Sequence, residues 1–391
     1  MKKKVLAAII VAMGILTGCG EELPSPIIST LEPEPIATES VQESGSGEKD
    51  DATGPKEFKV ITERTVVDGK MQSYLTGEWK DEAVVKRRNM AVMIPNNKPA
   101  LPQYGISKAS IIYEAPMEKG SCTRLMGIFE DYDDLDRIGP VRSARDYFMY
   151  ESMAYDSIYC NWGLAIPYVG PVINTDRVDN VSQAVGGIDS PSSEAFDRVE
   201  RGAGYAKEFT GYLFIDGYEK AVKRHDYATE YTSRFEQAFT FADEGCRAEY
   251  ADCEDATTII PGGGASNSGG YDHTDAYFEY NKDDGLYYRY QLGAPHKDEY
   301  NGEQLAVSNV IFKICYGEYR DENGYLAFRV HGEGDAYVFT NGKVIPATWE
   351  RKSDYEPNMF YDKNGDEIVL NQGKTWVCII WEDYEDCIVY K

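Results

Sequence analysis

The chain has 391 residues, with 66 acidic side chains against 40 basic ones and a formal charge of −26. So acidic a surface is repelled by phosphate backbones and by anionic lipid headgroups, which argues against nucleic-acid binding and against membrane attachment through a basic patch. The length is ample for two domains with cores of their own, and beyond the N-terminus no run of about eighteen apolar residues offers a membrane span.

Lys2, Lys3 and Lys4 precede an apolar run from Val5 to Leu16, the pattern of a signal peptide and too short to span a bilayer comfortably. Leu16-Thr17-Gly18-Cys19 then resembles the lipobox of bacterial lipoproteins. An ordinary secretory signal or a core helix ending in cysteine are the alternatives, and the shared register of basic start, apolar core and box favours the lipoprotein. By that resemblance residues 1–18 are cleaved and Cys19 carries a diacylglyceryl thioether of the palmitate type. Loss of the three lysines takes the charge from −26 to −29. Two acyl chains give stable anchoring, on the extracytoplasmic face of the cell membrane. Residues 19–56 are rich in Pro, Glu, Ser and Gly, cannot bury enough surface to order themselves, and read as a disordered tether spanning about 35 Å if coil-like.

The expected body divides into an N-terminal domain (57–240), a linker (241–270) and a C-terminal domain (271–391). Phe58 to Val67 alternates like a strand, and Asp68-Gly69 suits a hairpin turn before Met71 to Trp79. Met90 to Ile94, Ser110 to Glu114 and Arg124 to Glu130 read as buried strands. Ser143 to Tyr155 has helical spacing, Asp156 to Cys160 looks like a following strand, and Gly211 to Arg224 suits a further helix. This half is expected to be mixed α/β. Beyond the glycine-rich stretch at 262–270 come short strands separated by turns at Asn323-Gly324, Asn341-Gly342 and Asn364-Gly365. That half is mostly β, so the fold class is α+β. Seven cysteines follow Cys19. Cys246 with Cys253, and Cys378 with Cys387, are the candidate pairs, while Cys122, Cys160 and Cys315 read as small buried hydrophobes.

The residues also resemble the YerB-like family of bacterial lipoproteins, whose members have an N-terminal domain and a separate C-terminal domain of uncharacterised activity. The resemblance runs from about Leu75 to the C-terminus. It is carried by Ala91-Val92-Met93-Ile94 with Asn96, Pro102-Gln103-x-Gly105, Ile112-Tyr113-Glu114, and above all Arg137-Ile138-Gly139-Pro140-Val141-Arg142-Ser143-Ala144-Arg145. Tyr288-Arg289, Pro295-His296-Lys297-Asp298, Gly342-Lys343 and Gly373-Lys374-Thr375-Trp376 carry it through the second half. Family members often have histidine where this chain has Asn161, and Pro-His-Asn-Leu-Tyr where it reads Arg224-His225-Asp226-Tyr227.

Arg137, Arg142 and Arg145 cluster in an otherwise acidic chain, with Arg124 on a neighbouring expected strand. Ser143 is placed as an N-cap, which sets Arg142 just before a helix N-terminus, and guanidinium forks suit carboxylate or phosphate. The competing reading pairs Arg142 and Arg145 with Glu114, Glu118 or Asp146 to lock the domain. His225, His296 and Asp298 complete the candidate ligand-binding set with Glu114, Arg124, Arg142 and Arg145. No catalytic signature, P-loop, zinc spacing or cofactor motif occurs, and Asp362-x-Asn364-x-Asp366 reads as a turn. The sequence therefore points to a non-catalytic, lipid-anchored protein binding an anionic cell-wall component or small molecule. The alternative is an envelope hydrolase joining Glu114, Arg124, Arg142, Arg145 and His225.

Overall fold

The apolar runs of both halves come together in one sheet of eleven strands. In the computed structural model, which describes residues 59–183, 192–202, 204–263 and 268–391, these are β1 (Met90–Pro95), β2 (Ile111–Pro116), β3 (Thr123–Phe129), β4 (Ile158–Trp162), β5 (Asn180–Gln183), β6 (Glu254–Asp255), β7 (Asn309–Cys315), β8 (Gly332–Thr340), β9 (Lys343–Arg351), β10 (Met359–Asp362) and β11 (Thr375–Trp381). They lie in the order β6-β9-β8-β7-β11-β2-β3-β1-β4-β5, with β10 also pairing β9. The expected signal peptide, Cys19 and the tether of residues 19–56 lie outside the described residues.

β1, β2, β3, β7 and β11 are buried along their whole length, as near-continuous apolar strands covered on both faces should be. β11 pairs parallel with β7 on one side and β2 on the other, setting Trp376 opposite Ile112 and Cys378 opposite Glu114. The two halves of the chain thus share a sheet, with β11 at the seam. Residues 241–270, expected as a linker, add β6 to the edge of this sheet and Thr258–Ile260 to a second one. Residues 56–391 form one compact unit. Strand exceeds helix over the described residues taken together, so α+β describes the fold only broadly.

The helix α1 (Glu82–Lys86) packs on the hairpin of Lys70–Gln72 and Trp79–Asp81, whereas α2 (Asp146–Met153), α3 (Ile166–Ile173) and α4 (Ile215–Arg224) lie on the faces of the sheet. Tyr147 and Phe148 of α2 and Val169 and Val172 of α3 fill the core on one face. Tyr218 and Val222 of α4 fill the other, together with Phe278 and Tyr287 of the second sheet. A buried charge cluster fastens α2 to the second half. The Glu151 carboxylate meets Lys313 Nζ at 2.7 Å, Asn358 Nδ2 at 2.6 Å and Arg351 Nη1 at 3.3 Å. Burial acts to raise the Glu151 carboxyl, but Lys313, Arg351 and the hydrogen bonds outweigh it and hold the group below its ordinary value.

Three expected elements differ. The helix of Ser143 to Tyr155 begins only at Asp146, with Arg145 rather than Ser143 at the cap position. The segment before it is held extended: Arg142 N–H donates to Met93 O at 2.9 Å, Trp162 N–H to Arg142 O at 3.1 Å, and Ala144 N–H to Gly163 O at 2.8 Å. Gly211 to Arg224 splits into a strand, Gly211–Phe214, and α4. Phe58 to Val67 forms no long strand among the described residues, although Asp68-Gly69 does turn the chain, with Val67 and Lys70 exchanging 2.9 Å hydrogen bonds. Asn341-Gly342 joins β8 to β9 with φ of 53° and 72°, the left-handed pair a tight hairpin requires. Cys246 and Cys253 are free thiols, so the loop they were expected to close stays open. Cys160, Cys315 and Cys378 are buried, whereas Cys122 is only half-buried.

Candidate functional site

Successive residues of a strand point to opposite faces. The β2–β3 register sets Glu114 opposite Leu125 and Ala115 opposite Arg124. Glu114 therefore shares its face with Ile112, Leu125 and Trp376, and Arg124 shares the other with Tyr113, Ala115 and Met126. The expected joint site of Glu114, Arg124, Arg142, Arg145 and His225 does not assemble.

Glu114 is instead a saturated clamp. Its carboxylate, fully buried, accepts from Thr123 Oγ1 at 2.6 Å, Asn96 Nδ2 at 3.1 Å, Trp376 Nε1 at 3.1 Å and Arg289 Nη2 at 2.8 Å. Those donors use the acceptor capacity of a carboxylate and come from both halves of the chain. Arg289 Nε and Nη1 have no oxygen partner; the guanidinium lies over the rings of Trp376 (4.3 Å) and Phe278 (4.9 Å).

His296 and Asp298 belong to the same clamp. Gln103 Nε2 donates to Pro95 O at 3.0 Å, so Gln103 Oε1 is the acceptor facing His296 Nε2 at 2.8 Å. That assigns the proton to Nε2 and leaves a neutral ring whose Nδ1 has no partner. Burial, reinforced by Arg289, holds His296 well below its ordinary value. Asp298 accepts from the backbone N–H groups of Gly105 (2.8 Å), Ser107 (2.7 Å) and Tyr300 (2.8 Å). His296 and Asp298, expected among the ligand-binding residues, form a clasp between the halves.

Three of the four expected arginines converge, while Arg137 pairs with Asp136 at 2.7 Å and lies over the Tyr104 ring. Arg124 on β3 pairs with Pro95 of β1, and its Nη1 donates to Ser143 O at 2.7 Å, which ties it to the extended segment carrying Arg142 and Arg145. Arg145 pairs with Glu118, donates to Ala144 O at 2.7 Å, and lies 5.3 Å from the Tyr325 ring. Arg142 meets Glu208 at 3.2 Å and lies 5.3 Å from the Phe209 ring, with 24% of its side chain exposed. Arg124 itself is buried and forms no ion pair among the described residues. Burial, then Arg145 and Arg142, push it down to about 9 against the pull of Glu118. A guanidinium keeps its proton at neutral pH even so, and the unfavourable field amounts to an unmet demand for negative charge. Arg142 Nε and Arg145 Nε are buried without hydrogen-bond partners among the described residues. Such a cluster can hold a carboxylate or a phosphate.

Glu118, Glu208, Tyr159 and Tyr325 complete these surroundings. Of these, the sequence signals Glu118, as a candidate carboxylate partner of Arg142 and Arg145. Asp146, another expected partner, pairs with Arg320 at 2.6 Å. His225 ends α4 elsewhere, beside Ser192 Oγ at 3.0 Å and stacked on Tyr227 at 5.0 Å; burial chiefly lowers it. Asn161, at the position where family members carry histidine, donates to Gly163 O at 2.7 Å and accepts from Ser182 Oγ at 2.8 Å, a purely local set of bonds.

Residues 75–228 match the N-terminal domain, and residues 268–377 the C-terminal domain, of a protein family described as of unknown function (DUF3048). The chain belongs to the YerB-like family. The protein YerB of Bacillus subtilis (strain 168), whose name assigns it provisionally to the lipoproteins, is 25% identical over 318 residues, 80% of this chain and 86% of that one. The crystal structure of YerB protein from Bacillus subtilis is similar in fold, with a TM-score of 0.65 and 24% identity, over 82% of this chain and 99% of that one. In this YerB-like chain the two matched domains meet at β11 and at the Glu114 clamp.

Proposed function

We propose that this protein is lipid-anchored through Cys19 outside the cytoplasm and binds an anionic group of an envelope component at Arg124, Arg142 and Arg145, without catalysing a reaction on it. The lipobox and the lipoprotein name of the YerB relative support the anchor. Among the described residues no helix is long and apolar enough to cross a membrane. The observation that carries the binding reading is Arg124: a buried guanidinium beside two others, with no ion-pair partner among the described residues. The hydrolase alternative loses its proposed acid–base group, because Glu114 faces the other side of the sheet with its oxygens occupied.

The test is titration calorimetry of residues 56–391 with inorganic phosphate and with glycerol phosphate. Saturable binding that weakens at least tenfold in Arg142→Ala supports the reading. Equal binding by the variant and the parent, with both folded, removes the arginine site.

A further inference from the structure

A cavity lies at the seam between the two halves, away from the arginines. Its volume is about 410 Å³, within the range of small-molecule sites. Ile106, Ala109, Ile112, Leu286, Leu305 and Val307 make its wall apolar. Lys374, directly before β11, lines the same cavity and donates to the Ser107 carbonyl. That carbonyl is the lysine's hydrogen-bond partner, and no carboxylate pairs with its ammonium among the described residues. Lys374 is half-buried, and a partly desolvated ammonium is stabilised by a nearby anion. Burial lowers Lys374 from its ordinary value, with Lys80 and Lys108 adding to the effect and Glu78 and Glu303 opposing it. Glu303, the carboxylate on the cavity wall, is already engaged by Asn301 Nδ2 at 2.7 Å.

A cavity with an apolar wall, polar groups at Ser107, Tyr288 and Gln304, and an ammonium that no carboxylate pairs among the described residues is complementary to an amphiphile of one negative charge. The contrast with the arginine cluster is chemical. A lone ammonium is a point charge on a flexible stem and matches a monoanion, whereas converging guanidinium forks match a bidentate or dianionic group. We propose that this cavity takes a small molecule with an apolar chain ending in a single carboxylate, the carboxylate pairing with Lys374 and the chain lying against Ile112, Leu286 and Val307. Because Ser107 and Ile112 come from the first half and Leu286, Val307 and Lys374 from the second, the ligand would bridge the seam. The proposal is independent of the arginine site and stands or falls without it.

The experiment is calorimetric titration of residues 56–391 with octanoate, octanol and octyl phosphate at matched ionic strength. Saturable octanoate binding is expected, with octanol and octyl phosphate each at least tenfold weaker. Lys374→Met keeps the stem and removes the charge, and should weaken octanoate at least tenfold while leaving octanol unchanged. Ala306→Trp, at the cavity wall, should block both ligands and serves if Lys374→Met fails to fold. No saturable octanoate binding, octanoate no tighter than octanol or octyl phosphate, or undiminished octanoate binding by a folded Ala306→Trp would each overturn the proposal.

Discussion

Glu114 and Arg124 sit on paired strands within one residue of register, yet their surroundings are opposites. On one face Glu114 meets Arg289, Trp376, Asn96 and Thr123, and none of its acceptor capacity is left. On the other, Arg124 lies in the field of two more guanidinium groups, opposed by Glu118, and donates to a single carbonyl. Burial alone therefore does not distinguish a structural charge from a binding one. What distinguishes them is whether the surrounding protein completes the charge. A completed charge holds the halves together, and an incomplete one is available to a ligand.

The sharpest way to break this comparison is to leave Glu114 uncompensated. Arg289→Met should cost about 3–5 kcal/mol in urea unfolding, because a buried carboxylate loses its counter-ion. Adding Glu114→Gln to that variant should recover at least half of the loss, since the amide still accepts hydrogen bonds without carrying charge. A double variant no more stable than Arg289→Met alone would show that the pair is not the clamp. Next in size is Lys313→Met, which leaves Glu151 with Arg351 and Asn358 and should cost about 2–3 kcal/mol. A loss within 0.5 kcal/mol, the usual scale of a surface substitution, would mean that the α2 anchor is dispensable.

A smaller effect comes from pH. His296 is held well below its ordinary 6.5 in the folded protein, so the unfolded chain binds the extra proton first as pH falls. Its contribution is full above pH 6.5 and is lost as pH drops below that value, with a slope approaching 1.4 kcal/mol per pH unit. Between pH 7.5 and 5.5 the parent should lose about 1 kcal/mol more stability than His296→Gln. His225 and His331 are lowered too and act with the same sign in both proteins. Equal losses would place the proton elsewhere. The smallest effect belongs to the arginine face: Arg142→Ala should change stability by no more than about 0.5 kcal/mol, because its partner Glu208 is exposed.

Strands and turns were legible wherever local chemistry decides them. Met90 to Ile94 is apolar throughout and became a central strand, and Asn341-Gly342 turned where its left-handed preference required. β9 was not legible, because Pro346 interrupts a reading based on strand-forming residues. It is tolerated there because the outer partners of β9 end at Val344 and resume at Ala347. The arginine cluster was visible in outline, since Arg142 and Arg145 are close in sequence. The role of Glu114 was not, because its decisive partners Arg289 and Trp376 lie 175 and 262 residues away, and strand alternation separates it from Arg124. The shared sheet was hidden for the same reason: nothing local in Thr375–Trp381 says that it will pair with Ile111–Pro116 as well as with Asn309–Cys315.

The most direct measurement is the thermal unfolding midpoint of residues 56–391 with increasing inorganic phosphate, against chloride at equal ionic strength. Phosphate stabilises most proteins through exclusion from their surface, so the informative quantity is the difference between the parent and Arg142→Ala. If the arginine face awaits an anion, the parent's midpoint rises further than the variant's, and the gap saturates with phosphate concentration. Parallel rises in the two proteins would mean that the cluster is already complete, and the contrast between the two faces would be gone.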